Sequence, residues 1–262
     1  MSINSKIAIR GVGKVYRSAG GEAVQALAPI DMQVADGEFV SIVGPSGCGK
    51  STLLNIIAGF EQATWGEVLI DGNLVVAPGA ERGVVFQQYA LFPWLSVEGN
   101  IAFGPQSRGL PIREVRDRVA RGVNLARLEG FERKYPHELS GGMKQRCALA
   151  RCIANDPQVM LMDEPLAALD ALTRESLQNE LLRIWDEASQ QKRKTVIYIT
   201  HSIEEAIFLS DRIIVMSDRP GRIKETVAVP FDRPRIDGVR VQPEFHKLHD
   251  QVWRILHGDV HQ

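Results

Sequence analysis

Residues 39–51 read Phe39-Val40-Ser41-Ile42-Val43-Gly44-Pro45-Ser46-Gly47-Cys48-Gly49-Lys50-Ser51. The opening run is compact and apolar and lies between Gly37 and Gly44, which predicts a buried strand. Gly44 to Ser51 match the pattern G-x-x-x-x-G-K-[ST] in full, and a helical stretch follows from Ser51 to Ala58. Strand, glycine-rich turn and helix are the context that this pattern needs. Gly47 and Gly49 permit backbone angles that turn successive N–H groups toward one point. The start of the helix adds about half a positive charge there. Lys50 brings a full charge for β- and γ-phosphates, and the Ser51 hydroxyl can ligate Mg²⁺. Gly44, Pro45, Ser46 and Cys48 complete the cradle, with Cys48 as a small residue at a variable position.

A second stretch completes the chemistry. Val159-Met160-Leu161-Met162-Asp163-Glu164 is an apolar strand that delivers two carboxylates to its C-terminal end, where open α/β sheets bind ligands. Asp163 is expected to hold Mg²⁺ and Glu164 to polarise an attacking water. An apolar run ending in Asp-Glu is a common pattern by itself. Beside a phosphate loop it is specific.

Around these two stretches the chain alternates. Ile7 to Tyr16 and Val24 to Val34 read as strands broken at Gly20-Gly21, and Val68 to Ile70 and Val84 to Phe86 as further strands. From about Ser96 to Ala154 the pattern is helical and ends at Asn155-Asp156-Pro157. Strand signals return at Val159 to Met162, Thr195 to Ile199 and Arg212 to Met216. A long helix lies between them, with Leu177, Leu181, Ile184 and Ala188 facing a core. After Pro243, the residues Phe245, Leu248, Val252 and Ile255 form an apolar stripe. The expected architecture is α/β: a mostly parallel sheet with helices on both faces and a helical insertion. The expected divisions are a core of residues 1–87 and 157–229, a helical subdomain 88–156, and an extension 230–262.

Composition narrows the function. Lys and Arg total 31 against 32 Asp and Glu, so no global positive field exists to hold nucleic acid. The run Arg113 to Arg121 reads as a solvated helix face. No apolar run approaches the ~18 residues of a membrane span, and MSINSKIAIR lacks an apolar signal core, so the expectation is a soluble, cytoplasmic chain. Cys48, Cys147 and Cys152 suit neither a disulfide framework nor a zinc site and read as small core residues.

Leu139-Ser140-Gly141-Gly142-Met143-Lys144-Gln145-Arg146, just before Asp163-Glu164, resembles the signature motif of ATP-binding cassette (ABC) ATPases. The resemblance covers nearly all of residues 5–220 and implies the P-loop NTPase fold, with an antiparallel β-subdomain beside the mostly parallel sheet. It implies that Tyr16 stacks on adenine, that Gln87 reaches metal and water, and that His201 contacts the γ-phosphate. Glu164 is then the general base, and Lys50 and Thr52 act within the phosphate loop. Leu166 to Asp170 match the D-loop, with Ala168 where many relatives have serine; Asp170 also suits a helix cap. Ser140, Gly141 and Gly142 precede a helix and offer a second anion site, which in the family serves a nucleotide held by the opposite subunit. One phosphate loop and one signature per chain therefore imply a C2 homodimer with two ATPs.

Within that family the chain is similar to the nitrate, sulfonate and taurine importers. Pro78-Gly79-Ala80-Glu81-Arg82-Gly83-Val84-Val85-Phe86-Gln87, Leu169-Asp170-Ala171-Leu172-Thr173-Arg174 and Gln242-Pro243-Glu244-Phe245 carry this likeness. It implies taurine import, with alkanesulfonates or nitrate as the alternative. It also implies a membrane permease, an extracytoplasmic solute-binding protein, and a position on the cytoplasmic face of the inner membrane. Tyr89, Phe92, Pro93 and Trp94 are either core or a seat for a permease helix. Two other classes compete: a soluble ABC ATPase acting on DNA or ribosomes, and a nucleotide-dependent docking module without hydrolysis.

Overall fold

The computed structural model describes residues 5–17, 20–167, 169–187 and 193–258. They form two compact units, residues 1–79 with 181–262, and residues 80–180.

In the first unit, β1 (Ser5–Arg17), β2 (Ala23–Ala35), β4 (Trp65–Ile70) and β5 (Asn73–Leu74) build an antiparallel sheet in the order β2-β1-β4-β5. Ile7 faces Val34 on one side and Ile70 on the other. Alternation along β1 breaks at bulges near Gly11 and Gly13. A β-carbon on Gly13 would lie 2.1 Å from the Trp65 indole nitrogen, so glycine is needed there for close approach.

The same unit holds β3 (Phe39–Val43), paired in parallel with β8 (Thr195–Ile199) and β9 (Arg212–Met216). β10 (Ile223–Ala228) joins β9 antiparallel. Every residue of β3 and β8 is buried, which is why both read as unbroken apolar runs. α1 (Lys50–Ala58) ends at Gly59, whose φ of 81° is left-handed and whose added β-carbon would sit 2.5 Å from the Ala77 carbonyl. α6 (Ile203–Leu209) is capped by Ser202. α7 (Pro243–His257) starts with proline in its first turn and buries Phe245, Leu248 and Val252; Ile255 is half-buried.

In the second unit β6 (Arg82–Val85) pairs in parallel with β7 (Val159–Asp163). α2 (Val97–Ser107), α3 (Ile112–Leu125) and α4 (Gly141–Ala154) pack around Ile101, Val123, Leu128, Leu139, Cys147 and Ala150. Ser96 caps α2 and Ser140 caps α4, each accepting a backbone N–H three residues on. The Arg113–Arg121 run lies on α3, where Arg118 pairs with Glu114 and donates to the Ala154 carbonyl.

α5 (Ala171–Glu187) buries Leu177, Leu181, Leu182 and Trp185. The Ile184 side chain and Ala188 lie outside the described residues, as does Ala168. All three cysteines are free and buried. Burial pushes the Cys147 and Cys152 thiols up to about 12, so neither supplies a thiolate at neutral pH. β5 and β10 are strands that the sequence did not announce. β10 buries only one of its residues, and β5 none.

Candidate functional site

The phosphate loop leaves β3 at Gly44 and enters α1 at Lys50. Gly47 and Gly49 have φ of 75° and 100°, a region that side-chain-bearing residues rarely adopt. A β-carbon on Gly49 would lie 2.6 Å from Leu27 Cδ2 and 3.0 Å from the Ala26 carbonyl. Both conformation and space therefore require glycine. No side chain caps α1, so its first N–H groups face the loop's interior. The Lys50 side chain is buried, and its ammonium donates to the Gly44 and Pro45 carbonyls at 2.8 and 2.9 Å. A fixed cation, glycine-shaped backbone and an uncapped helix start suit a polyphosphate. Ser46 and Ser51 are exposed beside them, and Thr52 is half-buried.

Tyr16 lies at the end of β1 with its ring part exposed, as a stacking platform requires. Its hydroxyl donates to Glu61 Oε2 at 2.7 Å and reaches Thr52 Oγ1 at 3.4 Å. Lys14 pairs with the same Glu61 at 2.9 Å. Partial burial raises the Tyr16 hydroxyl above its ordinary value, so it stays a donor at neutral pH. Glu61 was not legible as a neighbour of Tyr16, because only the pairing of distant segments joins them.

His201 follows β8 and is exposed. The turn that carries it is braced from beneath. Thr200 donates to the buried Glu205 carboxylate at 2.6 Å, Tyr198 does so at 3.1 Å, and the Ser202 N–H donates to Thr200 Oγ1 at 3.0 Å. Ser202-Ile203-Glu204-Glu205 has capping-box spacing, yet Glu205 points inward to two hydroxyls. That spacing is the signal that picks out Glu205.

The second unit carries the carboxylates. β7 ends at Asp163, which is buried, and Glu164 follows at φ 48°. A positive φ on glutamate costs about 1–3 kcal/mol and re-aims the side chain at the strand's end. Gln87 Nε2 donates to Glu164 Oε2 at 3.1 Å. The structure thus brings together two residues that are 77 positions apart. Ser140 accepts the Met143 N–H at 3.3 Å as the cap of α4. A β-carbon on Gly141 would lie 2.9 Å from the Tyr89 hydroxyl, and one on Gly142 3.1 Å from Leu169 Cδ2. Asp170 accepts the Thr173 N–H at 3.0 Å, which holds its carboxyl below the usual range. It therefore caps α5.

Tyr16, Gly44 to Thr52 and His201 thus belong to the first unit, and Gln87, Ser140 to Gly142, Asp163, Glu164 and Asp170 to the second. Among the described residues no cluster of three or more His, Cys, Asp or Glu side chains could hold a metal ion.

An apolar strand feeding a glycine loop with a buried lysine, and a second strand ending in two carboxylates, define a nucleotide-hydrolysing phosphate-loop protein. Residues 27–167 match the model of the ABC transporter family, and the chain belongs to that family of ABC ATPases. It is 49% identical to an uncharacterised ABC transporter ATP-binding protein of Methanocaldococcus jannaschii, over 97% of this chain and 92% of that one. It is 46% identical to a taurine import ATP-binding protein of Roseobacter denitrificans, over 95% and 93%. It is 48% identical to an aliphatic sulfonates import ATP-binding protein of Bacillus cereus, over 87% and 88%. A dimeric bacterial ABC transporter cassette of known structure superposes with a TM-score of 0.77 at 35% identity, covering 86% of this chain and all of that one. The same cassette in a post-hydrolysis state bound to ADP and Pi gives 0.76 at 34% identity, with the same coverage. Among the described residues no helix is long and apolar enough to cross a membrane.

Proposed function

We propose that the chain is the ATP-hydrolysing subunit of an importer, and that taurine is the imported solute. The hydrogen bond between Gln87 and Glu164 carries the catalytic half of this reading. A carboxylate held by an amide at the end of β7 is oriented to take a proton from water. Lys50 and the N–H groups of the loop bind and neutralise the β- and γ-phosphates. His201 donates to the γ-phosphate, and Tyr16 stacks on the base. Catalysis of this kind works by positioning and charge neutralisation. A hydroxyl from Ser51, the Gln87 amide and the single carboxylate of Asp163 suit Mg²⁺, which keeps several waters and phosphate oxygens of its own. When bound, that ion neutralises charge on the phosphates.

The dimeric cassette of known structure supports a homodimer, in which Ser140, Gly141 and Gly142 of one copy serve the nucleotide of the other. Asp170, as a cap of α5 beside this region, would steady the same contact. The names of the taurine and sulfonate relatives support the substrate class. An importer subunit of this kind works on the cytoplasmic face of the membrane, with a permease and an extracytoplasmic solute-binding protein as partners. Phosphate release should be measured from the complex assembled with both, titrated with taurine, alkanesulfonates and nitrate. Taurine should stimulate turnover most; stimulation by nitrate alone overturns the substrate.

The permease seat lies in the helical insertion, residues 88–156. Trp94 is 70% exposed, Pro93 is exposed, and Phe92 and Tyr89 are half-buried, so these aromatics divide between support and surface. Phe92 packs at a tilt against Phe103 and Trp94, at 4.4 and 5.6 Å between ring centroids. An exposed indole on an aromatic platform suits an apolar groove filler from a partner helix. Trp94→Ala should leave the basal ATPase of the isolated protein within about twofold and cut solute-stimulated turnover about tenfold or more, the effect of losing one hot-spot aromatic. Full stimulation in that variant would place the seat elsewhere.

A further inference from the structure

The phosphate loop is gripped from outside by the turn between β9 and β10, Ser217-Asp218-Arg219-Pro220-Gly221-Arg222. Arg219 donates through Nε and Nη2 to the Gly47 carbonyl at 3.2 and 3.1 Å. Gly221 abuts the next carbonyl along, since a β-carbon there would lie 1.9 Å from Cys48 O. Gly221 is not in the left-handed region, so the close approach is what requires glycine. The turn itself is rigid. The Ser217 N–H bonds the Arg222 carbonyl at 2.9 Å, and the Arg222 N–H bonds Ser217 Oγ at 3.2 Å. Gly221 donates to the Ala26 carbonyl at 2.9 Å and accepts from the Ala28 N–H at 3.0 Å, which bolts the turn to β2. Arg219 is exposed, but it is presented on a fixed platform and not on a free loop.

Across a trans peptide the C=O and the following N–H point in opposite directions. Two consecutive carbonyls, of Gly47 and Cys48, face the β9–β10 turn. The N–H groups of Cys48 and Gly49 therefore face the other way, into the cradle. The first of these makes only a long 3.4 Å bond to the Pro45 carbonyl. Gly47 is the residue most free to let its peptide flip, and a charge-assisted bond to its carbonyl opposes the flip. We propose that Arg219 is a positioning residue for nucleotide binding: it locks the Gly47 peptide so that the Cys48 N–H stays aimed at the phosphates. This inference rests on the reading of residues 44–51 as the triphosphate site.

The test is steady-state ATPase of the purified protein with Arg219→Gln and Arg219→Lys, alongside thermal unfolding. Arg219→Gln should raise KM for ATP about tenfold, the worth of one charge-assisted hydrogen bond, with kcat within about twofold. Arg219→Lys keeps the charge with a single donating group and should fall between glutamine and wild type. The nucleotide-free unfolding midpoint should be unchanged in both, which a merely structural brace would not allow. Gly221→Ala, which drives a methyl group into the Cys48 carbonyl, should raise KM as well. A KM for Arg219→Gln within twofold of wild type overturns the proposal. A Lys50→Ala variant that binds ATP like wild type would instead overturn the triphosphate reading itself.

Discussion

Glu164→Gln should release phosphate about 10²–10⁴-fold more slowly than wild type, the usual share of a general base, while still binding ATP. Glutamine matches glutamate in size, so it fits the φ of 48° and the bond to Gln87 as well as glutamate does. What it lacks is a lone pair basic enough to take a proton. Binding should survive because the residues assigned to grip phosphate, Gly44 to Thr52, belong to the other unit. In a homodimer that closes on ATP, the variant should accumulate as the ATP-loaded pair. Gel filtration with and without ATP reads this directly. Wild-type turnover in Glu164→Gln would remove Glu164 from the base role. Loss of ATP binding would mean that it shapes the site rather than attacks through it.

How much of this was legible in the residues depended on whether burial was two-sided or one-sided. β3, β8 and β9 coincide with runs read directly from the sequence, because strands covered on both faces need no alternation and so leave continuous apolar stretches. β10 left no such trace. It buries one residue, Val227, and is held by main-chain pairing to β9, to which most side chains are irrelevant. The phosphate loop and the β7 carboxylates were legible because their chemistry fixes local spacing. The partners that hold functional side chains were not. Glu61 beside Tyr16, and Arg219 against Gly47, lie 45 and 172 positions away, and only the closed β-structure brings them near. The aromatics at 89–94 were open between core and a seat for a partner helix; Tyr89 and Phe92 are half-buried and Trp94 is exposed, so none of them lies in the core.

Asn100→Ala is expected to have a large effect on stability although it lies away from the nucleotide. Asn100 lies on α2, fully buried, next to Ile101 and one turn from Val97. On an apolar helix face asparagine looks misplaced. Its side chain explains it. Oδ1 accepts the Phe92 N–H at 2.9 Å, and Nδ2 donates to the carbonyls of Phe92, Leu95 and Ser96 at 3.2, 3.0 and 3.0 Å. One amide thus satisfies the backbone of the loop that presents Pro93 and Trp94. Arg151 adds a bond to the Ala90 carbonyl at 2.7 Å and lies over the Phe92 ring at 5.4 Å. Alanine would strand the Phe92 N–H and cut the side-chain bonds to three carbonyls, of which those of Phe92 and Ser96 keep the main-chain N–H groups of Leu95 and residue 100, at about 1–3 kcal/mol for each group left unpaired out of reach of water. Local relaxation keeps the total near 4 kcal/mol, at the upper end for single substitutions. The unfolding midpoint should fall by roughly 10 °C. Asn100→Asp should be at least as damaging, because it aims a buried carboxylate at three carbonyl oxygens. The loop should then lose its shape before the fold is lost. At 20 °C Asn100→Ala should hydrolyse ATP near the wild-type basal rate yet respond weakly to solute in the assembled complex. A small shift in midpoint with full solute stimulation would show that the loop holds itself, and that Trp94 needs no such anchor.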